Sequence, residues 1–350
     1  MKVYFGGPDK PAYLLRDLLA SKIDEIDGHG EIFWMTYYFR DIYLAEKLIE
    51  AANRGVKISI VLDAKPRVKS ANDEVYSLLK KSGNIDIVYV RHKTPHKHIS
   101  RKMPKIHEKL YYFRTQNKAF AYVGSFNPSG RINDDIKMIE LIGDQDRGHN
   151  FLIEINDAQL LDELYEHCIY IKNVKHWFCE ILKKGKSKIC NNNTDIYFSP
   201  WSSKKAVISF LNSAERGDKL LIAMSHFSSI IIIKKLIDLS RRGVQIQIIS
   251  HDTKRRFPET IERILRTMGI ECHRYVHPKG YPMHNKFMIL EKKHEGLLAC
   301  GSLNLTARSL NENHELLLIS KVKSLLDRFK KRWNEIYREI VENKYCDEQG

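Results

Sequence analysis

Two short clusters of reactive side chains recur in this chain at one spacing. The first is His107-Glu108-Lys109 with Gly124-Ser125-Phe126-Asn127, and the second is His284-Asn285-Lys286 with Gly301-Ser302-Leu303-Asn304. In each, the serine follows the histidine by 18 residues. Each HxK opens an apolar, strand-like run, Leu110–Phe113 or Phe287–Leu290, and each GSxN closes another, Ala119–Val123 or Leu297–Cys300. Alternation along a strand puts His and Lys on one face, and a hairpin return brings Ser and Asn beside them. Imidazole, ammonium, hydroxyl and amide then converge. That set suits a phosphate, with one nucleophile or acid and several donors for its oxygens. A third HxK, His277-Pro278-Lys279, has no GSxN at the matching distance and reads as a basic loop. HxK alone is a weak signal; the compound pattern, twice at one spacing, is a strong one.

The elements that must position these clusters repeat as well. Ala45–Glu50 leads through Asn53-Arg54-Gly55-Val56 into Lys57–Asp63, and Ile233–Asp238 leads through Arg241-Arg242-Gly243-Val244 into Gln245–His251. In both, a helical pattern ends at glycine and an alternating β-branched strand follows. Strands Glu31–Tyr38 and Lys219–His226 precede these units; helices Asn72–Ser82 and Pro258–Met268, then strands Ile85–Val90 and Glu271–Val276, follow them. Leu160–Tyr165 and Leu325–Phe329 each open a further helix. Strands alternating with helices predict an α/β chain, and the repeat predicts two similar lobes. The expected lobes are residues 1–182 and 194–350, joined by a polar linker, 183–193, where Gly185 and Asn191-Asn192-Asn193 interrupt the pattern.

At the doubled HxK and GSxN the sequence resembles the phospholipase D superfamily, over nearly the whole chain. The resemblance implies an α/β fold of two phospholipase D-like lobes, each a mostly parallel or mixed sheet flanked by helices, related by a pseudo-twofold axis with both motifs at the interface. It implies a metal-independent phosphodiesterase without cofactors, in which one histidine attacks phosphorus and the other protonates the leaving alcohol. In the family's usual order His107 is the nucleophile and His284 the acid, Lys109, Lys286, Asn127 and Asn304 hold the non-bridging oxygens, and Ser125 and Ser302 support. The motif's usual Asp is replaced by Arg114 in one half and Glu291 in the other. Glu315 falls where many members place the acid that orients the catalytic imidazole. For its counterpart in the first half the candidates are Glu140 and Glu154, with Glu140 favoured because it follows sooner after Asn127.

Composition bears on the substrate. Of 350 residues, 43% are hydrophobic and 29% charged, ordinary for a globular chain with a core, but the formal net charge is +15. Such an excess fits a polyanion, although lysine-rich solvated faces produce it too. A basic, proline-interrupted stretch containing Arg91, Lys93, Lys97, Arg101, Lys102 and Lys105 runs straight into His107, and Lys254-Arg255-Arg256 occupies a turn after a strand. These are the expected substrate-binding cations. Tyr37, Tyr38, Phe39, Phe227 and Trp201 read as core rings rather than stacking platforms. No apolar run approaches the ~20 residues of a membrane span. Met1–Gly7 lacks the apolar stretch of a signal peptide, and six cysteines without CxxC spacing suit a reducing cytoplasm. The expectation is a cytoplasmic endonuclease-like enzyme acting on nucleic acid, DNA favoured over RNA, without integral membrane association. It would serve a restriction, defence or processing system, with sequence choice either supplied by a protein partner or absent. The alternative is a phospholipase D or phosphatidyl transferase acting on phospholipids.

Overall fold

Runs such as Ile58-Ser59-Ile60-Val61-Leu62 favour extended backbone, and the helical stretches between them carry apolar stripes that need cover. In the computed structural model, which describes residues 1–63, 65–90, 105–130, 141–173 and 185–347, both demands are met by two helix-flanked sheets. The first sheet contains β1 (Lys2–Gly6), β2 (Glu31–Thr36), β3 (Lys57–Asp63), β4 (Ile85–Val90), β5 (Leu110–Arg114), β6 (Ala119–Gly124) and β7 (Asn150–Ile155), in the order β1-β7-β6-β5-β2-β3-β4. The second contains β8 (Lys188–Cys190), β9 (Thr194–Ser199), β10 (Lys219–Met224), β11 (Gln245–His251), β12 (Glu271–Tyr275), β13 (Lys286–Glu291), β14 (Leu297–Gly301) and β15 (Glu315–Ser320). Its order, β12-β11-β10-β13-β14-β15-β9-β8, repeats that of the first, with β8 added at the edge. The stretch expected as a linker thus contributes β8, which pairs with β9.

Of the two sheet types expected, the observed one is mixed. β2, β3 and β4 are parallel, as are β10, β11 and β12. The remaining pairs, including the β5–β6 and β13–β14 hairpins, are antiparallel. The parallel steps need crossovers, supplied by α2 (Ile42–Asn53) and α3 (Asp73–Ser82) in one lobe and α6 (Ile230–Arg241) and α7 (Glu259–Thr267) in the other. Asp41 caps α2 by accepting from Leu44 N at 2.9 Å. Both α2 and α6 run into glycines of positive φ, Gly55 and Gly243, at the repeated position. α1 (Leu14–Asp24) and α5 (Ser203–Asn212) complete the outer layers; α4 (Ala158–Asn173) and α9 (Lys323–Asp347) follow the last strand of each lobe, and the short α8 (Ala307–Asn311) precedes β15.

Each sheet packs its outer face on its own helices, through Trp34, Leu48 and Ile60 in the first lobe and Ile222, Leu236 and Ile248 in the second. The inner faces share one core with α4 and α9. Phe329 of α9 lies with its ring centroid 5.1 Å from Phe5, 5.0 Å from Phe151 and 5.0 Å from Phe287, so it touches both sheets. The lobes are also joined by backbone. His107 N donates to His314 O at 3.0 Å and His314 N to Lys105 O at 2.8 Å; His284 N donates to His149 O at 3.0 Å and His149 N to Pro282 O at 2.9 Å. These two exchanged bridges are related by the pseudo-twofold. They fix the start of each HxK against the residue that precedes the opposite lobe's last strand.

Candidate active site

The hairpins β5–β6 and β13–β14 end at Gly124 and Gly301, where a Cβ would lie 2.2 Å from Phe151 O and 2.2 Å from Leu316 O. Only glycine lets the chain turn there so close to the neighbouring strand. The turn hands the next side chain to that strand. Ser125 Oγ accepts from Phe151 N at 3.1 Å and donates to Asn150 Oδ1 at 3.2 Å. Ser302 Oγ accepts from Leu316 N at 3.0 Å and donates to Glu315 Oε2 at 2.7 Å. The serines therefore brace Asn150 and Glu315, and those two residues reach across the interface. His107 Nδ1–H donates to Glu315 Oε2 at 2.8 Å, and His284 Nδ1–H donates to Asn150 Oδ1 at 2.8 Å. Asn150 is held in that sense by its own Nδ2, which donates to Gln145 O at 3.0 Å. In both rings Nδ1 carries the proton, which leaves Nε2 for chemistry.

The two asparagines of GSxN act alike. Asn127 Oδ1 accepts from Thr36 Oγ1 at 3.4 Å and Tyr38 N at 3.5 Å, and Asn304 Oδ1 accepts from His226 N at 3.2 Å. Their NH2 ends remain as donors for an incoming anion. Lys109 and Lys286 are fully buried, and each Nζ donates to the backbone carbonyl of the histidine two residues earlier, at 2.5 Å and 2.7 Å.

His107, Asn127, His284 and Asn304 line one cavity of about 420 Å³. Its charges are mostly positive. Burial pushes the Lys109 ammonium down to about 7, and burial together with Lys109 pushes Lys286 well below the usual lysine range. His107 is held down to about 4 by burial, with Glu315 working the other way. His284 is held well below the usual range by burial and then by Lys286 and Lys109. Buried cations this destabilised gain most from a bound anion.

Lys105, Arg255 and Arg256 also line the cavity, as expected. Lys254 does not: it points to solvent and pairs with Glu259 at 3.0 Å. Arg91, Lys93, Lys97, Arg101, Lys102 and Glu140 lie outside the described residues. At the position equivalent to Glu315 the first lobe has Asn150, which meets His284, while Glu154, the other candidate for that counterpart, faces away and accepts from Tyr4 OH at 3.0 Å. A reading keyed to an acid passes over an amide, yet His149-Asn150 and His314-Glu315 do align, each His opening its bridge. Tyr37 and Tyr38 are buried, as read, but they also line the cavity, with the Tyr37 ring 5.2 Å from that of His107. Arg67, Gln145 and His226 complete that wall. Arg114 packs over Tyr165 and Glu291 pairs with Lys330, both away from the site. His277 stacks on Tyr281, and its HxK stays outside the cavity. Among the described residues no group of three or more His, Cys, Asp or Glu is placed to hold a metal ion, and no helix is long and apolar enough to cross a membrane.

Fold and site together define a class, the duplicated two-lobed α/β proteins with one HxK histidine per lobe facing a common cavity. The chain belongs to the phospholipase D superfamily, whose members are phosphodiesterases: the family described as "Cardiolipin synthase, PLD-like domain" matches residues 23–167 and 207–337, well over half of the sequence. Among curated relatives, the mitochondrial cardiolipin hydrolase of Canis lupus familiaris is 32% identical over 107 residues, 31% of this chain and 40% of that protein. That of Mus musculus is 34% identical over 101 residues, 28% of this chain and 43% of that protein. The chain thus spans less than half the length of these relatives. Phosphatidylserine synthase from Haemophilus influenzae Rd KW20 shares the fold with a TM-score of 0.67 at 13% identity, covering 97% of this chain and 86% of its own. Polyphosphate kinase from Porphyromonas gingivalis shares it with a TM-score of 0.63 at 15% identity, covering 96% and 50%.

Proposed function

We propose that the chain is a metal-independent phosphodiesterase acting on nucleic acid, with DNA favoured over RNA, through a phosphohistidine at the shared cavity. The observation that supports this most directly is the unequal pairing of the two histidines. A nucleophile that becomes an N-phosphorylated, cationic imidazole is best backed by a carboxylate, and His107 has Glu315. A general acid must part with its proton, and His284 has only the neutral Asn150 amide behind it. The bound diester's negative charge favours a second proton on His284, at Nε2; His107 Nε2 attacks phosphorus, the bond to the leaving oxygen breaks, and His284 Nε2–H protonates that oxygen. His284 then takes a proton from water, whose oxygen displaces His107 Nε2 from phosphorus. Lys109, Lys286 and the amides of Asn127 and Asn304 supply the charge and donors for the non-bridging oxygens throughout.

Nucleic acid is favoured by the cations that line the cavity beyond the two motifs, together with the net charge of +15. A phospholipid reading has its own support. Ile230 and Ile231, which open α6, and Tyr43, the equivalent of Ile231 on α2, are exposed beside the loops that carry cavity residues. The curated relatives named above act, by their names, on cardiolipin. The purified chain in excess EDTA is expected to cleave labelled single-stranded or double-stranded DNA, with RNA and phosphatidyl lipids assayed in parallel. Cleavage confined to the lipids overturns the nucleic-acid reading. Loss of all phosphodiester cleavage in EDTA, restored by a divalent ion, overturns the metal-free mechanism.

A further inference from the structure

The cavity holds more cations than one phosphodiester can neutralise. A diester carries a single negative charge, which Lys109 and Lys286 already meet. Four arginines outside the motifs, Arg67, Arg255, Arg256 and Arg308, line the same space. Arg256 is 7% exposed, yet its Nε and Nη1 have no hydrogen-bond partner among the described residues. A guanidinium is not buried unpaired without an anion to receive it. Arg67, Arg255 and Arg256 form no ion pair with a carboxylate among the described residues. Lys105 and Arg308, which also line the cavity, have Asp63 at 3.4 Å and Glu312 at 3.3 Å.

The location of the arginines within the cavity follows from backbone and side-chain contacts. Phe227 N donates to Arg256 O at 2.8 Å, which seats Arg256 beside the end of β10. Arg255 Nη1 donates to His226 Nε2 at 3.2 Å, and His226 N donates to Asn304 Oδ1 at 3.2 Å. That chain of contacts holds the pair on the flank of the second motif. Consistently, the charge of Arg256 helps to depress His284 and Lys286, whereas the charges acting on His107 are those of Glu315, Lys109 and Lys286. Arg67, from the other lobe, is close enough to lower both Arg255 and Arg256.

We propose that Arg255 and Arg256, with Arg67 facing them, hold a second phosphate carried by the leaving alcohol, so that the preferred substrate is a diester with another phosphate next to the scissile one on the His284 side. The inference rests on His284 being the general acid, which puts the leaving group on that flank. In a nucleic-acid strand the second phosphate belongs to the adjacent nucleotide; in a bisphosphate lipid it lies across a glycerol.

The test compares the thymidine dinucleotides TpT, pTpT and TpTp, which differ only in where a second phosphate stands. One phosphorylated form is expected to exceed TpT in kcat/KM by on the order of tenfold to a hundredfold, as charge-assisted contacts to one phosphate imply, with the other form close to TpT. Arg255→Gln and Arg256→Gln should each erase that preference. Arg255 is exposed at the cavity rim, so its substitution leaves the fold intact if Arg256→Gln does not. A second measurement is independent of nucleosides. 1,3-Propanediol bisphosphate should inhibit hydrolysis of bis(p-nitrophenyl) phosphate more tightly than inorganic phosphate by about tenfold or more, and the ratio should collapse in Arg255→Gln. Equal use of all three dinucleotides with equal inhibition by the two phosphates overturns the proposal, as does a preference that survives both substitutions. If the dinucleotides are inert but cardiolipin in vesicles is cleaved over phosphatidylcholine in an Arg255-dependent way, the second-phosphate site stands and the nucleic-acid reading falls.

Discussion

The two walls of the cavity are copies in backbone and unequal in charge. Each HxK histidine is bridged to the opposite lobe in the same register, and each meets the first residue of that lobe's last strand at 2.8 Å. On one side that residue is Glu315, on the other Asn150. The inequality extends outward: Asp63, which accepts from Ile106 N at 3.1 Å, is matched by His251, and Tyr37-Tyr38 by Ser225-His226. Glu108, between His107 and Lys109, is buried against His167 at 2.9 Å, whereas its counterpart Asn285 has neither side-chain atom hydrogen-bonded among the described residues. The wall of His107 carries its own carboxylates, and the wall of His284 is left cationic. Duplication supplies the frame; single side chains at equivalent positions divide the labour.

The comparison breaks most severely at the histidines. His107→Ala and His284→Ala should each lower kcat on DNA by about 10³-fold or more, because each removes one of two proton-transferring or bond-forming groups. They should differ on bis(p-nitrophenyl) phosphate. Its leaving group departs without a proton, so His284→Ala should keep a first-turnover burst of p-nitrophenolate in kinetic assays while His107→Ala should show none. Only His284→Ala should accumulate a covalent phosphoenzyme, visible by intact-mass measurement after acid-free quenching. Equal behaviour of the two variants would refute a division of roles.

Glu315→Gln makes the walls alike. With no carboxylate to balance the cationic phosphohistidine, kcat should fall on the order of a hundredfold, against a few-fold for Asn150→Ala. Steady-state rates on one substrate decide it, and similar losses would mean that the two partners only orient the rings. The serines test the same contrast at smaller scale. Ser302 donates to a carboxylate at 2.7 Å and Ser125 to an amide at 3.2 Å. Charge-assisted hydrogen bonds are about twice as strong as neutral ones, so Ser302→Ala should cost roughly tenfold in kcat and Ser125→Ala roughly threefold.

Much of this frame was legible in the sequence, since Gly55 and Gly243, the hairpins and the 18-residue spacing all repeat where alternation and helix ends can be read locally. What was not legible depends on strands that meet only in the folded sheets. Asn150 takes its role from a register across the lobe interface that no spacing within one motif reports. Arg67 and His226 lie next to unremarkable strand ends and reach the cavity because β2, β3, β10 and β11 end at the same edge. Tyr37 and Tyr38 read as buried rings and are buried; that a buried ring can also form the wall of a cavity is decided by topology. Lys254 shows the converse, since adjacency to Arg255 and Arg256 in sequence did not carry it to the same face.

The smallest effect is the most diagnostic of sign. In the free protein His284 is held well below the usual histidine range by burial and the neighbouring cations, and its amide partner does nothing to oppose them. Asn150→Asp would put a negative charge against Nδ1–H, which favours the imidazolium and raises the pKa. A general acid works while protonated, so the alkaline limb of the kcat/KM profile should move upward by about one pH unit. The shift is modest because the new carboxylate oxygen would face Gln145 O, which the amide now donates to at 3.0 Å. Glu315→Gln should move the other limb. Removing the carboxylate lowers His107 further, and a nucleophile works while deprotonated, so the acid limb should extend to lower pH even as the maximal rate falls. Profiles of the two variants on one substrate separate these outcomes. Shifts of the same limb in both variants would show that one histidine performs both steps, whatever the symmetry of the frame.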